Sequence, residues 1–153
     1  MSTSDRLYFR QLLAGRDVAG SDPVARQMVN FAYLVGDRDT GEAVVVDPAY
    51  DIRGLLDVAA SDGMKVTGAL VTHYHPDHVG GDMMGYRISG VRELLALNPV
   101  PVHVQDDEAH GVQRVTGASD GDLVRHASGD VVDVGAIRVE LIHTPGHTPG
   151  SQC

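Results

Sequence analysis

The sequence predicts an α/β fold in which a helix connects two neighbouring strands. Apolar runs at residues 43–46 and 66–71 have the length of buried strands. Between them, residues 51–62 place apolar side chains at nearly helical spacing. Four side chains that can bind metal follow the second strand directly. This order is typical of a crossover in a sheet whose functional site lies at the carboxyl ends of its strands.

The first part of the chain predicts a strand followed by a β-hairpin. Residues 7–13 carry apolar side chains at four positions and form the first predicted strand. Residues 15–23 are polar and rich in glycine, which predicts a loop. The apolar runs 28–35 and 43–46 flank the polar segment 36–41, so they are predicted to pair as a hairpin.

The helix predicted at residues 51–62 has recognisable ends. Asp51 is the N-cap candidate and Gly63 the C-cap candidate. Asp47, at the end of the hairpin, lies next to a proline, and this dipeptide ends a strand. Its carboxylate is either a plain turn cap or a group that supports a nearby metal site, and the sequence leaves both open.

The second part predicts two more helices and further strands. Residues 82–90 show no clear period, whereas 91–97 suggest a helix with Ser89 as its N-cap. Residues 100–104 form a short predicted strand, and 106–115 suggest another helix. The acidic residues at the start of that helix suit its positive end and are predicted to be a solvated first turn: Asp106, Asp107 and Glu108. The last predicted strands are residue 124, 131–134 and 137–142.

Composition limits the classes of function. With 153 residues, 42% hydrophobic and 22% charged, the chain has the size and composition of one ordinary globular domain. The net charge of −9 would repel a polyanion, so no nucleic-acid partner is expected. No signal peptide or apolar span is evident in the sequence, which predicts a cytoplasmic location and no membrane partner. Cys153 is the only cysteine, so an intrachain disulfide is excluded.

The segment H-x-H-x-D-H at residues 73–78 predicts a metal site. In extended backbone alternate side chains share a face, so His73 and His75 can bind one ion together. Pro76 ends the strand, and Asp77 and His78 then point differently and could serve a second ion. A lone loop histidine is usually only solvated, but four such groups within six residues favour metal binding, because imidazole and carboxylate are common ligands of zinc and iron.

This segment, followed by Gly80-Gly81 and by T-P-G-H-T-P-G-S at residues 144–151, resembles the metallo-β-lactamase superfamily. The sequences F-R-Q-L-L at 9–13 and V-V-V-D-P at 44–48 are similar to the glyoxalase II and persulfide dioxygenase branch. The resemblance implies the N-terminal part of a four-layer αββα sandwich. It also implies a single domain over residues 1–153 that is incomplete at its C-terminal half.

The resemblance also implies a set of ligands. His73, His75 and His147 would hold a first metal ion, and Asp77 and His78 would contribute to a second. Zinc, as one or two ions, is the expected metal, and iron is also compatible with these ligands. His143 is expected to be a structural or supporting residue rather than a ligand. Three scattered histidines have no ligand partners nearby in sequence, and no metal role is predicted for them: His103, His110 and His126.

The implied reaction is hydrolysis of a small-molecule thioester or similar activated ester, as in hydroxyacylglutathione hydrolase. Water bound to metal ionises near neutral pH and becomes the nucleophile. Asp77 is the predicted catalytic residue, which would orient that water or take its proton. Two alternatives remain. One is a mononuclear iron persulfide dioxygenase, for which the resemblance implies His73, His147 and an aspartate beyond residue 153 as ligands, and the other is a non-catalytic metal-binding fragment.

The sequence departs from the family at its C-terminal end. Family members continue beyond the second motif and supply an aspartate that bridges both metals and a last histidine. Neither residue has a counterpart in these 153 residues, so weak or no activity is expected of the chain as it stands. A sheet without its packing partner is also expected to expose apolar surface and strand edges. The sequence carries no indication of the oligomeric state.

Overall fold

The computed structural model describes residues 2–153, apart from the side chains of residues 3 and 4. The helices are α1 (Thr3–Arg6), α2 (Pro23–Met28), α3 (Ile52–Ser61), α4 (Pro76–Val79), α5 (Val91–Leu97) and α6 (Ala109–Thr116). The strands are β1 (Leu7–Leu13), β2 (Phe31–Asp37), β3 (Glu42–Val46), β4 (Lys65–Leu70), β5 (Gly81–Met83), β6 (Tyr86–Ile88), β7 (Val102–Gln105), β8 (Leu123–His126), β9 (Val131–Val134) and β10 (Ile137–Glu140). Within the described residues, no helix is both long and apolar enough to cross a lipid bilayer.

A six-stranded sheet with the order β1-β2-β3-β4-β7-β8 forms the centre of the structure. The first three strands are antiparallel, and β3, β4, β7 and β8 run parallel to one another. Helix α3 connects β3 to β4, which confirms the predicted crossover. Because the last paired residues of β3 and β4 are Val46 and Leu70, both strands end at the same edge of the sheet. The α/β prediction is therefore correct.

The main hydrophobic core lies between one face of this sheet and the helices. Alternate side chains of a strand share a face, so Leu34 of β2 and Val45 of β3 both point into this core. Helices α3, α5 and α6 contribute one apolar stripe each, represented by Leu55, Leu94 and Val112. All five of these side chains are at most 2% exposed.

The opposite face of the sheet is only partly covered. The β9–β10 hairpin packs Val132 and Val134 against Val44 of β3 and forms a second, smaller core. Toward β1, the aromatic rings of Phe9 and Phe31 are 53% and 38% exposed. This exposed apolar surface agrees with the expectation for a sheet that lacks a packing partner.

The predicted start of the second strand is wrong. The strand predicted to start at residue 28 starts at Phe31, because residues 23–28 form α2. Asp22 caps this helix with Oδ1, which accepts hydrogen bonds from the backbone N–H groups of Val24 and Ala25. Aspartate followed by proline is a helix-start signal, and apolar residues in the following segment masked it.

The N-cap of α5 is Gly90 and not Ser89 as predicted. The side chain of Glu93 accepts a hydrogen bond from the Gly90 N–H at 2.7 Å, which satisfies the start of this helix. The prediction that Asp51 caps α3 is confirmed, since its Oδ1 accepts the Gly54 N–H at 2.9 Å. That helix ends with Asp62 as C-cap, one residue earlier than predicted.

The predicted solvated turn at residues 106–108 is wrong for its last member. Residues Asp106–Glu108 form a short 3₁₀ helix ahead of α6, and Glu108 is only 2% exposed. Its carboxylate accepts a hydrogen bond from the hydroxyl of Thr148, which lies 40 positions later. A contact so distant in sequence leaves no local pattern, whereas Asp106 and Asp107 are exposed as predicted.

Asp37 is a fully buried carboxylate whose pKa makes stability depend on pH. The hydrogen bond from Arg6 and then the N–H of Ala136 lower the pKa of Asp37 to about 2. Because an unfolded aspartate titrates near pH 4, the free energy of unfolding should fall as pH drops from about 4 toward 2. Asp37→Asn should be less stable at pH 7 and should lose most of this pH dependence in urea titrations.

The matched control for this prediction is Asp133→Asn. The side chain of Asp133 is 68% exposed, and its one ion pair among the described residues is a 3.5 Å contact with Arg138. Exposed ion pairs of this kind contribute little to stability, so the control should retain the wild-type dependence on pH. A wild-type dependence in Asp37→Asn would contradict this account of the Asp37 pKa.

Candidate metal centre

The first segment of predicted ligands lies where β4 ends. After Leu70 the chain continues through Val71 and Thr72 and reaches His73, which is 7% exposed. His75 is the N-cap residue of α4, and Pro76 takes the first helical position, where its fixed φ favours the turn. The short helix then carries the remaining two predicted ligands. The predicted end of the strand at Pro76 thus becomes the start of a helix.

Histidines from two segments that are distant in the sequence meet at this edge. The ligand nitrogens of His73, His75 and His147 all lie within 4.8 Å of one another. His75 Nδ1 and His147 Nε2 are 3.1 Å apart, and each pair of rings has centroids separated by 4.8 Å. The structure therefore brings together the three residues predicted to hold the first ion.

His73 presents an unpaired nitrogen to this group. The hydroxyl of Thr72 donates to Asp47 Oδ2 at 2.6 Å, so it must accept from His73 Nδ1, which is 2.9 Å away. The other nitrogen, Nε2, then carries a lone pair, and it is buried without a partner in the described part of the chain. Burial, followed by the neighbouring His78, lowers the pKa of His73 to about 4, which favours the neutral ring that binds metal.

Asp47 holds the second group together. The ligand atoms of Asp47, His73 and His78 also lie within 4.8 Å of one another. Asp47 is 5% exposed, and its carboxylate accepts hydrogen bonds from the Thr72 N–H and hydroxyl. His78 Nδ1 lies 3.0 Å from Asp47 Oδ2. Asp47 is therefore a buried acceptor beside the predicted ligands, rather than only a turn cap.

His78 is held in a defined orientation by this contact. Burial lowers the pKa of His78, but the hydrogen bond to Asp47 and the charges of Asp47 and Asp77 outweigh burial and raise it overall. Because Nδ1 donates to Asp47, Nε2 is the nitrogen left on the side of Asp77, 3.5 Å from Asp77 Oδ2. Asp77 itself lies outside both groups of three that could hold a metal ion.

Two residues missed by the sequence analysis support Asp77 and His78. The amide nitrogen of Asn30 donates to Asp77 Oδ2 at 3.0 Å and lies 3.3 Å from His78 Nε2. The Tyr50 hydroxyl donates to Asn30 Oδ1 at 2.8 Å, which fixes the orientation of the amide. Burial above all, and then Asp77, raise the pKa of Tyr50, so the phenol stays protonated as a donor. No sequence signal marks Asn30, which falls inside a predicted strand.

The other histidines lie outside both groups. His143 Nε2 hydrogen-bonds the carbonyl oxygen of Pro149 at 2.9 Å, in keeping with a structural role. His103 Nδ1 and His126 Nε2 lie 2.8 Å apart on neighbouring strands, and His126 also contacts Asp130. Burial and His126 lower the pKa of His103 to about 4.

The donor set fits a metal ion. Three imidazoles converge, the buried His73 Nε2 has no hydrogen-bond partner among the described residues, and the hydrogen bond of His73 Nδ1 to Thr72 fixes the tautomer of this ring. Three histidines are the ligand set of catalytic zinc sites, in which a fourth position stays open for water or substrate. His73 Nδ1 donates to the Thr72 hydroxyl and His78 Nδ1 donates to Asp47, and hydrogen bonds of this kind orient metal ligands. Chemically, the arrangement can bind metal beside a carboxylate.

Relatives with curated descriptions share most of this chain. It is 37% identical over 119 residues to hydroxyacylglutathione hydrolase of Rhodopseudomonas palustris, which covers 78% of this chain and 40% of that protein. The corresponding enzyme of Hahella chejuensis is 39% identical over 110 residues, covering 72% and 35%. A protein of Aquifex aeolicus is 34% identical over 139 residues, covering 86% and 61%. The chain thus spans between about a third and two thirds of the length of these relatives.

Solved structures give the same fold. A metallo-beta-lactamase from Staphylococcus aureus superposes with a TM-score of 0.68 at 25% identity, over 95% of this chain and 37% of that one. ETHE1 from Myxococcus xanthus superposes with a TM-score of 0.66 at 24% identity, over 95% and 52%, which shows a common fold. A family model described as the metallo-beta-lactamase superfamily matches residues 25–153, a stretch that contains both histidine motifs. The chain therefore belongs to the metallo-β-lactamase superfamily.

Proposed function

We propose that this chain carries the metal site of a hydrolase that cleaves a thioester or similar activated ester of a small molecule. The observation that carries the proposal is the convergence of His73, His75 and His147, in which the buried His73 Nε2 has no hydrogen-bond partner among the residues that the structure describes. Relatives named hydroxyacylglutathione hydrolase support this choice of reaction. We further propose that residues 1–153 belong to one metallo-β-lactamase-like domain. The predicted cytoplasmic location stays a prediction.

In this proposal the ligands divide between two positions. His73, His75 and His147 would hold a first ion, and Asp77 with His78 would contribute to a second. Asp47 would orient His78 rather than bind metal, because its oxygens already accept hydrogen bonds from Thr72 and His78. When bound, zinc supplies Lewis acidity and a water that ionises near neutral pH.

Asp77 is the proposed catalytic base. Its side chain is 17% exposed, so a water molecule and a substrate can reach it from solvent. Asn30 holds Oδ2 by one hydrogen bond, which leaves acceptor capacity on the carboxylate. Asp77 would take a proton from the water while the oxygen of that water bonds to the carbonyl carbon of the thioester. The carbon–sulfur bond then breaks, and the thiolate leaves with the electron pair.

The test of this function is thiol release from a glutathione thioester by the zinc-loaded chain. We expect slow release that stops when a chelator removes the metal. Asp77→Asn should lower the rate by about 10² to 10⁴, the usual contribution of a general base. Asp82→Asn is the matched control, because Asp82 is 83% exposed and contacts only Arg87 among the described ion pairs. Release that persists at full rate in chelator would contradict the proposal.

A mononuclear iron dioxygenase is the second candidate. The observation that favours it is that the three-histidine group is complete without Asp77, which lies outside it. Oxidation of a persulfide consumes oxygen, whereas hydrolysis of a thioester does not. Oxygen uptake by the iron-loaded chain with a persulfide substrate would favour this candidate. Oxygen uptake no faster than in buffer alone would exclude the dioxygenase candidate.

A further inference from the structure

The loop that carries His147 rests on a buried carboxylate. His147 is exposed, but its neighbour Thr148 is only 2% exposed and donates its hydroxyl to Oε2 of Glu108. Glu108 is also 2% exposed and lies just ahead of α6. Burying a carboxylate costs free energy unless a hydrogen-bond donor compensates it. Loss of this buried contact should therefore cost more free energy than loss of an exposed hydrogen bond.

The hydroxyl hydrogen bonds around Thr148 form a series in which Ser151 donates to Thr148 and Thr148 donates to Glu108. The Thr148 N–H donates to Ser151 Oγ at 3.0 Å, so this oxygen is an acceptor. The two hydroxyl oxygens are 2.7 Å apart, and the Thr148 hydroxyl is already committed to Glu108. Ser151 must therefore donate to Thr148, since each hydroxyl has a single hydrogen. The series ends on Glu108, whose Oε2 accepts from the Thr148 hydroxyl.

Close packing and a second anchor complete the support of this loop. A Cβ on Gly150 would lie 2.4 Å from the backbone nitrogen of Glu108, so the two backbones are in close contact. Farther along, the side-chain amide of Gln152 donates to the Val71 carbonyl at 2.9 Å. The backbone N–H of Gln152 donates to the Thr72 carbonyl at 3.0 Å. The loop is thus held both at α6 and beside His73.

We propose that Glu108 and Thr148 are positioning residues that hold His147 against His73 and His75 and thereby set the affinity for the first ion. This inference rests on the proposed metal site. His147 approaches the other two ligands from a loop. If the ion itself had to order this loop, the entropy lost on ordering would lower the affinity for the ion. The buried contact orders it beforehand.

The decisive variant is Thr148→Val, which removes the hydroxyl and nearly preserves the side-chain volume. Its matched control is Thr116→Val, because Thr116 is 4% exposed and uses its hydroxyl for bonds to Val112 and Ala118 within the α6 region. Both variants should lower the melting temperature. In competition titrations with a chromophoric chelator, Thr148→Val should weaken zinc binding by about tenfold to hundredfold, whereas Thr116→Val should leave it unchanged.

Conservative variants separate positioning from simple loss of structure. Thr148→Ser keeps a hydroxyl and Glu108→Gln keeps an acceptor oxygen, so both should bind zinc nearly as wild type does. Glu108→Leu lacks an acceptor and should lose as much affinity as Thr148→Val, and the double variant should show little further loss. The visible spectrum of bound Co²⁺ should change in the two disruptive variants only.

The outcomes distinguish this inference from the proposed function. Wild-type zinc affinity in Thr148→Val and Glu108→Leu would overturn the inference while leaving the metal site intact. Equal losses in Thr148→Val and Thr116→Val would also overturn it, because the effect would then reflect stability alone. A wild-type chain that binds no zinc would contradict the proposed function itself, and this inference with it.

Discussion

Replacing His147 by alanine is expected to abolish tight metal binding. His147 supplies one of three nitrogens that converge within 4.8 Å, and its ring lies on an exposed loop. Removing it leaves His73 and His75 as a two-ligand site. The affinity for zinc should therefore fall by more than the tenfold to hundredfold that loss of a supporting hydrogen bond costs. Isothermal titration with zinc at pH 7.5 would measure this, with the melting temperature of the metal-free protein nearly unchanged.

His126→Ala provides the matched control for this prediction. His126, the last residue of β8, contacts His103 and Asp130 and belongs to neither group of candidate ligands. Its removal should leave the zinc affinity unchanged, although some stability is lost with the buried hydrogen bond. Equal losses of zinc affinity in His147→Ala and His126→Ala would contradict the assignment of His147 as a metal ligand.

Replacing Gly90 by alanine is expected to have the largest effect on stability. The added Cβ would lie 2.1 Å from the Val79 carbonyl oxygen and 2.4 Å from the Gly80 nitrogen. Backbone strain is not the cause, because the φ of Gly90 is −169° and any residue adopts it. The end of α4, which carries Asp77 and His78, would have to move away from α5. We expect the free energy of unfolding to fall by about 3 kcal/mol or more in urea titrations.

Gly121→Ala is the corresponding control. The nearest atom to a Cβ on Gly121 would be Ser119 Oγ at 3.7 Å, an ordinary contact distance. Its effect on the free energy of unfolding should stay within about 0.5 kcal/mol, as for most surface substitutions. A Gly90→Ala variant as stable as this control would show that α4 and α5 do not pack as described.

Elements set by local pattern could be predicted from the sequence. Strand β1 was predicted with its observed bounds from the apolar side chains of residues 7–13, although only Tyr8 and Leu12 of this strand are buried. The start of α3 was predicted from Asp51, whose side chain caps the helix within three residues. The position of the histidine segment after β4 follows from the same kind of local signal, an apolar run interrupted by Pro76.

Contacts between distant residues could not be predicted from pattern. The acidic turn at 106–108 has the composition of a solvated helix start, yet Glu108 is buried by Thr148 and Gly150 from the far end of the chain. Asn30 has no spacing that relates it to Asp77, which lies 47 positions later. The association of His147 with His73 came from family resemblance, because spacing alone says nothing about a ligand 74 positions away.

The metal content of the purified chain tests the central claim most directly. The 153-residue protein from a monodisperse gel-filtration peak would be incubated with zinc, desalted and analysed by native mass spectrometry. We predict at least one ion bound per folded chain, because three imidazoles converge at the edge of the sheet and one of them, His73, has a buried nitrogen without a partner among the described residues. A folded, monodisperse chain that retains no metal would contradict the claim.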